Sequence, residues 1–269
     1  MARIIIAIMR RNSIKIWRTN FWSSIIGRLI TAIYAVFFSY IVYYFMASKQ
    51  LNSSFLLYAK TSNYLEYIIV GYGFFAIVVS VLMAVGRFFM EEIRGGTIDI
   101  ILLSPASRGA LLFGCGLEQL FRSLLEILVI YILCSFLGIL SFHISYKELL
   151  CLIVIIFISL FSIGVFVSYI MLCFKDTYFT QNTIFILINL LCGISYPVEY
   201  LPELLRKFSD FLPFTILLQL IRSILIENKS LVMHCESIER IMLSSTLYLI
   251  SGTILLKNYE IKHGDRFNA

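Results

Sequence analysis

Long uncharged hydrophobic runs divide the chain into segments that can cross a lipid bilayer. Five runs of 20 to 26 residues contain no Asp, Glu, Lys or Arg, and they lie at residues 29–48, 67–86, 127–146, 149–174 and 177–198. A helix of 20 residues is about 30 Å long, which matches the hydrocarbon thickness of a bilayer. A sixth run at 241–256 has only 16 residues, but Arg240 and Lys257 at its ends can extend their charges towards water. The pattern predicts six transmembrane helices.

Apolar residues fill successive positions within these runs, as in Leu-Ile-Val-Ile-Ile-Phe-Ile at residues 152–158. Strands of a transmembrane barrel need polar and apolar residues to alternate over about ten positions, so the pattern favours helices. Composition supports a membrane protein, because 60% of the residues are hydrophobic and only 14% are charged. An ordinary soluble domain has about 25% charged residues. We therefore expect an all-α polytopic membrane protein whose single transmembrane domain occupies residues 1–269.

The segment before the first run is basic, and its five positive residues are Arg3, Arg10, Arg11, Lys15 and Arg18. Basic flanks favour the cytoplasmic side, so we expect the N-terminus there, and an even number of spans returns the C-terminus to the same side. At about 100° per residue, the five basic side chains fall within about 140° of a helix over residues 1–20. Ile5, Met9 and Ile16 lie opposite them. This pattern indicates either a helix lying on the inner leaflet or a simple orientation signal.

A charged segment with two glycines and a proline separates the second run from the third. Gly95-Gly96 allows a sharp turn, and Thr97 is placed to cap the helix that follows. Residues 97–103 predict an apolar helix of about two turns, which ends because Pro105 forces Ser104 out of helical geometry. A short apolar helix outside the bilayer needs a partner surface. The lipid headgroups, the protein's own bundle or a groove on a separate subunit could each supply it.

Three charged residues stand at the beginning of the third span. Glu118, Arg122 and Glu126 are four residues apart, so they share one face of a helix and can pair along it. A lone charge at this depth costs about 2.5–3.5 kcal/mol, so partners are expected, and Arg28 of the first span is one candidate. The three residues form either a polar patch at an inner gate or substrate entrance, or a self-neutralised ladder that holds helices together.

The sequence shows no motif typical of a catalytic or cofactor-binding site. No glycine is followed by lysine, so the chain has no phosphate-binding loop, and any ATP must be bound by another chain. The six cysteines and three histidines show no metal or redox spacing. We expect no enzyme activity, no metal site and no nucleic-acid partner.

Two motifs resemble those of the permease subunits of type-2 ABC exporters. The first consists of Glu92, Gly96-Thr97, an apolar run, Ser104-Pro105 and Arg108. The second consists of residues 193–202, Leu212-Pro213-Phe214-Thr215 and Arg222. They follow the second and fifth spans, where that family has them, and the six-span frame covers the whole chain.

The resemblance implies a cell-membrane complex, as in a prokaryotic inner membrane, of two permeases, either two copies or homologues, with two ATPase subunits that bind ATP and Mg²⁺. It makes residues 97–103 a coupling helix seated in the ATPase, and the residues of this coupling motif are Glu92, Gly96, Thr97, Ile100, Leu102, Ser104 and Pro105. It also implies re-entrant helices at residues 197–226 that close the external side. The residues of this external gate are Pro197, Pro202, Pro213 and Arg222.

Three functions are compatible with these patterns. The leading interpretation is ATP-driven export of a hydrophobic or amphipathic compound, such as a drug, an antimicrobial peptide or a lipid. The second is export of a polysaccharide or lipid-linked glycan by the same type of complex. The third is an ion-coupled secondary transporter, which would favour inverted repeats and acidic residues near mid-membrane. No repeat is evident, and only Glu126 approaches the middle of a span.

Overall fold

The computed structural model describes residues 1–19, 63–138 and 145–267, with isolated positions between 26 and 61. Most of the predicted first span at 29–48 lies outside the described residues. Arg28, the candidate partner of the charged residues Glu118, Arg122 and Glu126, also lies outside them. The described part is helical and contains no strand. Its helices are α1 (Ala2–Thr19), α2 (Tyr64–Arg94), α3 (Ile98–Leu103), α4 (Arg108–Phe136), α5 (Tyr146–Phe174), α6 (Thr177–Leu191), α7 (Glu203–Phe211), α8 (Pro213–Leu225) and α9 (Cys235–Phe267). Two 3-10 turns are also present, Val198–Tyr200 before α7 and Leu231–His234 before α9.

Four described helical segments are long and apolar enough to cross a membrane. They are α2, α4, α5 and the segment Leu231–Tyr259. The last extends well beyond the 16 uncharged residues of the predicted sixth span, because polar residues at both ends continue the helix. A bent pair, α7 with α8, makes a fifth candidate if it counts as one span. The chain is therefore a multi-pass protein with four to five described candidate spans, and the predicted count of six is not confirmed.

The predicted fifth span is shorter than the hydrophobic run that suggested it. Helix α6 has 15 residues and ends at Leu191, seven positions before the end of the run at residue 198. Gly193 takes φ +72°, a left-handed conformation that turns the backbone out of the helix. A helix of 15 residues is about 22 Å long, which is less than the hydrocarbon core of a bilayer.

Helix α5 lies at the centre of the bundle, between α2 and α9. Glycines allow these close contacts. A methyl group at Gly164 would lie 2.8 Å from Val85 Cβ on α2, and one at Gly252 would lie 2.8 Å from the backbone nitrogen of Phe166. Both distances are too short for a side chain, so small residues set the spacing of the helices, as is common in membrane bundles.

Helix α1 packs against the beginning of α4. Ile8 is buried, and a methyl group at Gly114 would collide with its side chain and lie 3.1 Å from the Ile5 carbonyl oxygen. The helix predicted over residues 1–20 is thus present to Thr19. Its face towards α4 is centred on Ile8, which lies between the predicted basic and apolar faces.

Candidate coupling site and re-entrant region

The turn between α2 and α3 follows from its glycines. Gly95 N–H donates to the Glu91 carbonyl at 2.9 Å, and Gly96 N–H donates to the Ile93 carbonyl at 3.1 Å. Gly96 takes φ +66°, where a side chain is strained, whereas Gly95 keeps a right-handed φ of −80°. The predicted sharp turn is confirmed. Of its two glycines, only Gly96 has a backbone conformation that requires glycine.

Glu92 joins three parts of the protein at this turn. Its carboxylate is buried, with 8% of the residue exposed, and it accepts hydrogen bonds from the Arg11 guanidinium of α1 and from the Thr97 hydroxyl. The Thr97 hydroxyl also lies 3.4 Å from the Glu92 carbonyl oxygen. Thr97 occupies the predicted N-cap position of α3, but its side chain makes no capping hydrogen bond to that helix. The hydroxyl instead donates its proton to the Glu92 carboxylate, a charge-assisted bond that holds the Thr97 side chain towards α2.

Further contacts hold α1 beside the same turn. Lys15 lies 3.9 Å from the Glu91 carboxylate, and the Asn12 amide donates to Cys115 Sγ of α4 at 3.1 Å. The sequence assigned Lys15 only to the orientation of the chain. No local pattern indicates these pairings, because the partners are separated by 76 or more residues. One turn of α1 therefore touches both α2 and α4.

Helix α3 divides its apolar side chains between the bundle and the surface. Ile98 and Ile101 are each 8% exposed and belong to the hydrophobic core, whereas Ile100 is 69% exposed and Leu103 is 86% exposed. The side chain of Leu102 lies outside the described residues. Of the three partner surfaces considered, the protein's own bundle takes one face of α3. The opposite face presents large apolar groups to the outside.

The end of α3 agrees with the prediction. Ser104 leaves helical geometry with φ −73° and ψ 146°, immediately before Pro105. Its hydroxyl donates to the Ile101 carbonyl at 3.0 Å and lies 3.4 Å from the Ala106 amide, which satisfies backbone groups that the end of a helix leaves open. The helix is thus held at both ends, by Glu92 and Thr97 before it and by Ser104 after it.

The charged group on α4 is partly paired as expected. Glu118 is 4% exposed, and its Oε1 accepts from Arg122 Nε at 2.7 Å and from Arg122 Nη2 at 2.6 Å. Among the described residues, the other oxygen of Glu118 is buried without a hydrogen-bond partner. Glu126 lies one turn farther along and is partly buried. The ion pair between Glu118 and Arg122 is the first step of the predicted self-neutralised ladder. Whether the three residues act as a ladder or as a substrate entrance stays a prediction.

Prolines break the segment after α6 into short pieces, as predicted. Pro197 precedes the 3-10 turn, Pro202 caps α7, and Pro213 is the first residue of α8. Helices α7 and α8 meet at 82°. Helix α8 has 13 residues, most of them buried, and at about 20 Å it is too short to span a bilayer alone. Two short helices are therefore present within residues 197–226, of which α8 is mostly buried and α7 is exposed except at Ser209, and the gating role assigned to them stays a prediction.

Arg222 connects α8 to α2 and to the turn after α6. It is buried, and its guanidinium donates to the carbonyls of Gly193 at 2.7 Å, Ile194 at 2.9 Å and Tyr67 at 3.2 Å. The same group lies 3.4 Å from the centre of the Tyr67 ring, and the Tyr67 hydroxyl donates to the Gly193 carbonyl at 3.2 Å. The desolvated cation is thus compensated by carbonyl dipoles and by an aromatic face.

Two residues that the sequence did not single out complete this cluster. A methyl group at Gly71 would lie 2.8 Å from Arg222 Nη2, so only glycine leaves room for the guanidinium. Ser209 of α7 is buried and donates to the Leu191 carbonyl at 2.6 Å, which fixes α7 to the end of α6. A glycine inside a hydrophobic run and a lone serine carry too little local signal for sequence reasoning to find them.

Comparison with known families agrees with this arrangement. No curated protein matches the chain significantly. A family model described as ABC-2 type transporter matches residues 3–226, which include α1, both motifs, the charged group on α4 and all of α8. Permeases of this family work with ABC ATPase partners. The chain therefore belongs to the ABC-2 type transporter family and is the membrane-spanning permease subunit of a type-2 ABC transporter.

Proposed function

We propose that this permease forms the transport pathway of an ATP-driven exporter for a hydrophobic or amphipathic compound. Two permeases, either copies of this chain or homologues, assemble with two ATPase subunits that bind ATP and Mg²⁺. The protein lies in the cell membrane with both termini in the cytoplasm. Aromatic residues make up 15% of the chain, and a rigid aromatic lining of the pathway would suit an apolar or amphipathic substrate.

The exposed face of α3 is the observation on which the proposal rests. Ile100 and Leu103 present large apolar side chains to the outside, while Ile98 and Ile101 of the same six-residue helix are inserted into the bundle. Exposed apolar surface next to charged residues is typical of a protein interaction site. An apolar groove on an ATPase subunit would cover this face, and the buried face would carry any displacement of α3 into the bundle.

The contacts around Glu92 supply a second route for that displacement. Glu92 bonds Thr97 at the start of α3 and Arg11 on α1, so α1, α2 and α3 are joined through one carboxylate. A push on α3 therefore moves the end of α2 and shifts α1 with it. Charge-assisted hydrogen bonds suit this role because they are stronger than neutral bonds and fix geometry.

Replacement of Ile100 by Asp tests the proposed seat. The full chain would be purified together with its ATPase, and both the amount of bound ATPase and the substrate-stimulated ATP hydrolysis would be measured. Burying an unpaired carboxylate in a dry interface costs at least about 2 kcal/mol, so association is expected to weaken about 30-fold or more. Membrane insertion should be unchanged, because Ile100 does not belong to the core.

Val232→Asp is the matched control. Val232 is 79% exposed in the 3-10 turn before α9, so the same chemical change is made at an apolar position far from α3 in the chain. The control should keep the ATPase and its stimulation. Normal assembly and transport by Ile100→Asp, or transport by the isolated chain on an ion gradient alone, would refute the proposed function.

A further inference from the structure

Four of the five basic residues of α1, all except Arg18, fall into two groups with different surroundings. Arg11 and Lys15 face the carboxylates of Glu92 and Glu91 on α2. Arg3 and Arg10 are exposed, and within the part of the chain that the structure describes they have no ion pair. Helix α1 itself contains no Asp or Glu. The paired residues hold α1 in place, so the other two arginines need a different explanation.

Arg3 and Arg10 share one side of the helix with isoleucines. They are seven residues apart, which places them within about 20° of each other around the helix axis. Ile6 and Ile14 lie on the same side and are 63% and 41% exposed. Together with Ala7 and Arg11 they line a shallow open groove of about 470 Å³ along α1. The groove therefore combines guanidinium groups with exposed apolar side chains.

We propose that this groove binds the phosphate-bearing headgroups of anionic membrane lipids. The planar donors of arginine match phosphate oxygens in pairs, and the intervening isoleucines can enter the acyl boundary of the same leaflet. Charge complementarity favours anionic over zwitterionic lipid, because no carboxylate on α1 offsets the two arginines. The chain's two tryptophans, Trp17 and Trp22, follow the groove in the sequence, and tryptophan prefers the headgroup layer.

An acidic protein surface is the main competitor for this groove. A protein partner of that kind would pair with the arginines, but it would leave Ile6, which is 63% exposed, against charged groups. A lipid accommodates both, since its phosphate and its acyl chain lie within a few ångströms of each other. The mixed character of the groove therefore favours lipid. The inference rests on the interpretation of residues 1–20 as a helix lying on the inner leaflet and on the proposed cytoplasmic position of the N-terminus.

Tryptophan fluorescence provides the readout, because the chain's two tryptophans, Trp17 and Trp22, are close to Arg3 and Arg10 in the sequence. The full chain would be reconstituted in bilayers made of equal parts of phosphatidylcholine and phosphatidylglycerol, with bromine atoms on the acyl chains of one lipid at a time. We expect brominated phosphatidylglycerol to quench the tryptophan fluorescence about two-fold more strongly than brominated phosphatidylcholine, since each basic residue near the surface attracts anionic lipid. The double variant Arg3→Gln with Arg10→Gln should bring the ratio close to one.

Arg206→Gln with Lys207→Gln is the matched control. It removes the same charge from exposed positions on α7 and should keep the preference of the original chain. Equal quenching of the original chain by both lipids would overturn the inference, as would loss of the preference in the control. An unchanged preference in the Arg3/Arg10 variant with reduced ATPase binding would also overturn it and would indicate a protein partner. The proposed function is tested separately, by assembly of the Ile100 variant with the ATPase.

Discussion

Replacement of Gly71 by alanine tests the packing of Arg222 against α2. Alanine normally stabilises a helix interior by about 0.5–1 kcal/mol relative to glycine. At Gly71 the added methyl group would collide with the Ile194 carbonyl oxygen, which accepts a hydrogen bond from Arg222, and would lie 2.8 Å from Arg222 Nη2. Either α8 or the turn after α6 must move to accommodate it.

The size of the effect follows from the bonds that this movement breaks. Arg222 Nη2 donates at 2.9 Å to the Ile194 carbonyl and at 3.2 Å to the Tyr67 carbonyl. A hydrogen bond to a charged group contributes about 1.5–3 kcal/mol, so loss of one or two outweighs the gain in helix propensity. We expect Gly71→Ala to lower stability by about 2–4 kcal/mol, which corresponds to a fall in Tm of about 4–16 °C.

Gly73→Ala on the same helix is the control. A methyl group there meets nothing within 4 Å, so this variant should raise Tm slightly through helix propensity alone. Unfolding of the full chain in detergent can be followed with a thiol-reactive dye, because Cys115, Cys134 and Cys192 are buried until the protein unfolds. Equal Tm values for the two variants would show that Arg222 is not packed against α2 in this way.

Two further predictions concern the turn after α2 and the re-entrant region. Glu92→Gln should reduce substrate-stimulated ATP hydrolysis more than Glu91→Gln, because only Glu92 is buried between Arg11 and α3. Equal effects of the two variants would exclude a coupling role for Glu92. In a background without native cysteines, a cysteine in place of Leu217 should react poorly with a membrane-impermeant thiol reagent, and one in place of Asn228 should react readily. High reactivity at both positions would mean that α8 is solvated. An increase in reactivity at position 217 during turnover would support gating.

Features set by neighbouring residues could be predicted from the sequence. The uncharged runs predict α2, α5 and the middle of α9, because any helix in a bilayer must satisfy its backbone internally and cover itself with apolar side chains. The predicted third span at 127–146 is wrong in its bounds, since α4 begins at Arg108 and ends at Phe136. Turns and breaks are equally local. Gly96 permits a left-handed turn, and Pro105 and Pro213 remove backbone freedom at the ends of helices. The motif positions around them came from the resemblance to the permease family.

Contacts between distant segments were decided only by the tertiary structure. Glu92 meets Arg11 across 81 positions, and Arg222 meets Tyr67 across 155. From the sequence alone each charged group has several possible partners, including lipid and water. Only the packing of the helices brings one of them within hydrogen-bond distance. The same holds for α3, where hydrophobicity alone could not distinguish the buried Ile101 from the exposed Ile100. Which side of a short apolar helix is buried depends on the bundle that it touches, and that surface is built by residues far away in the chain.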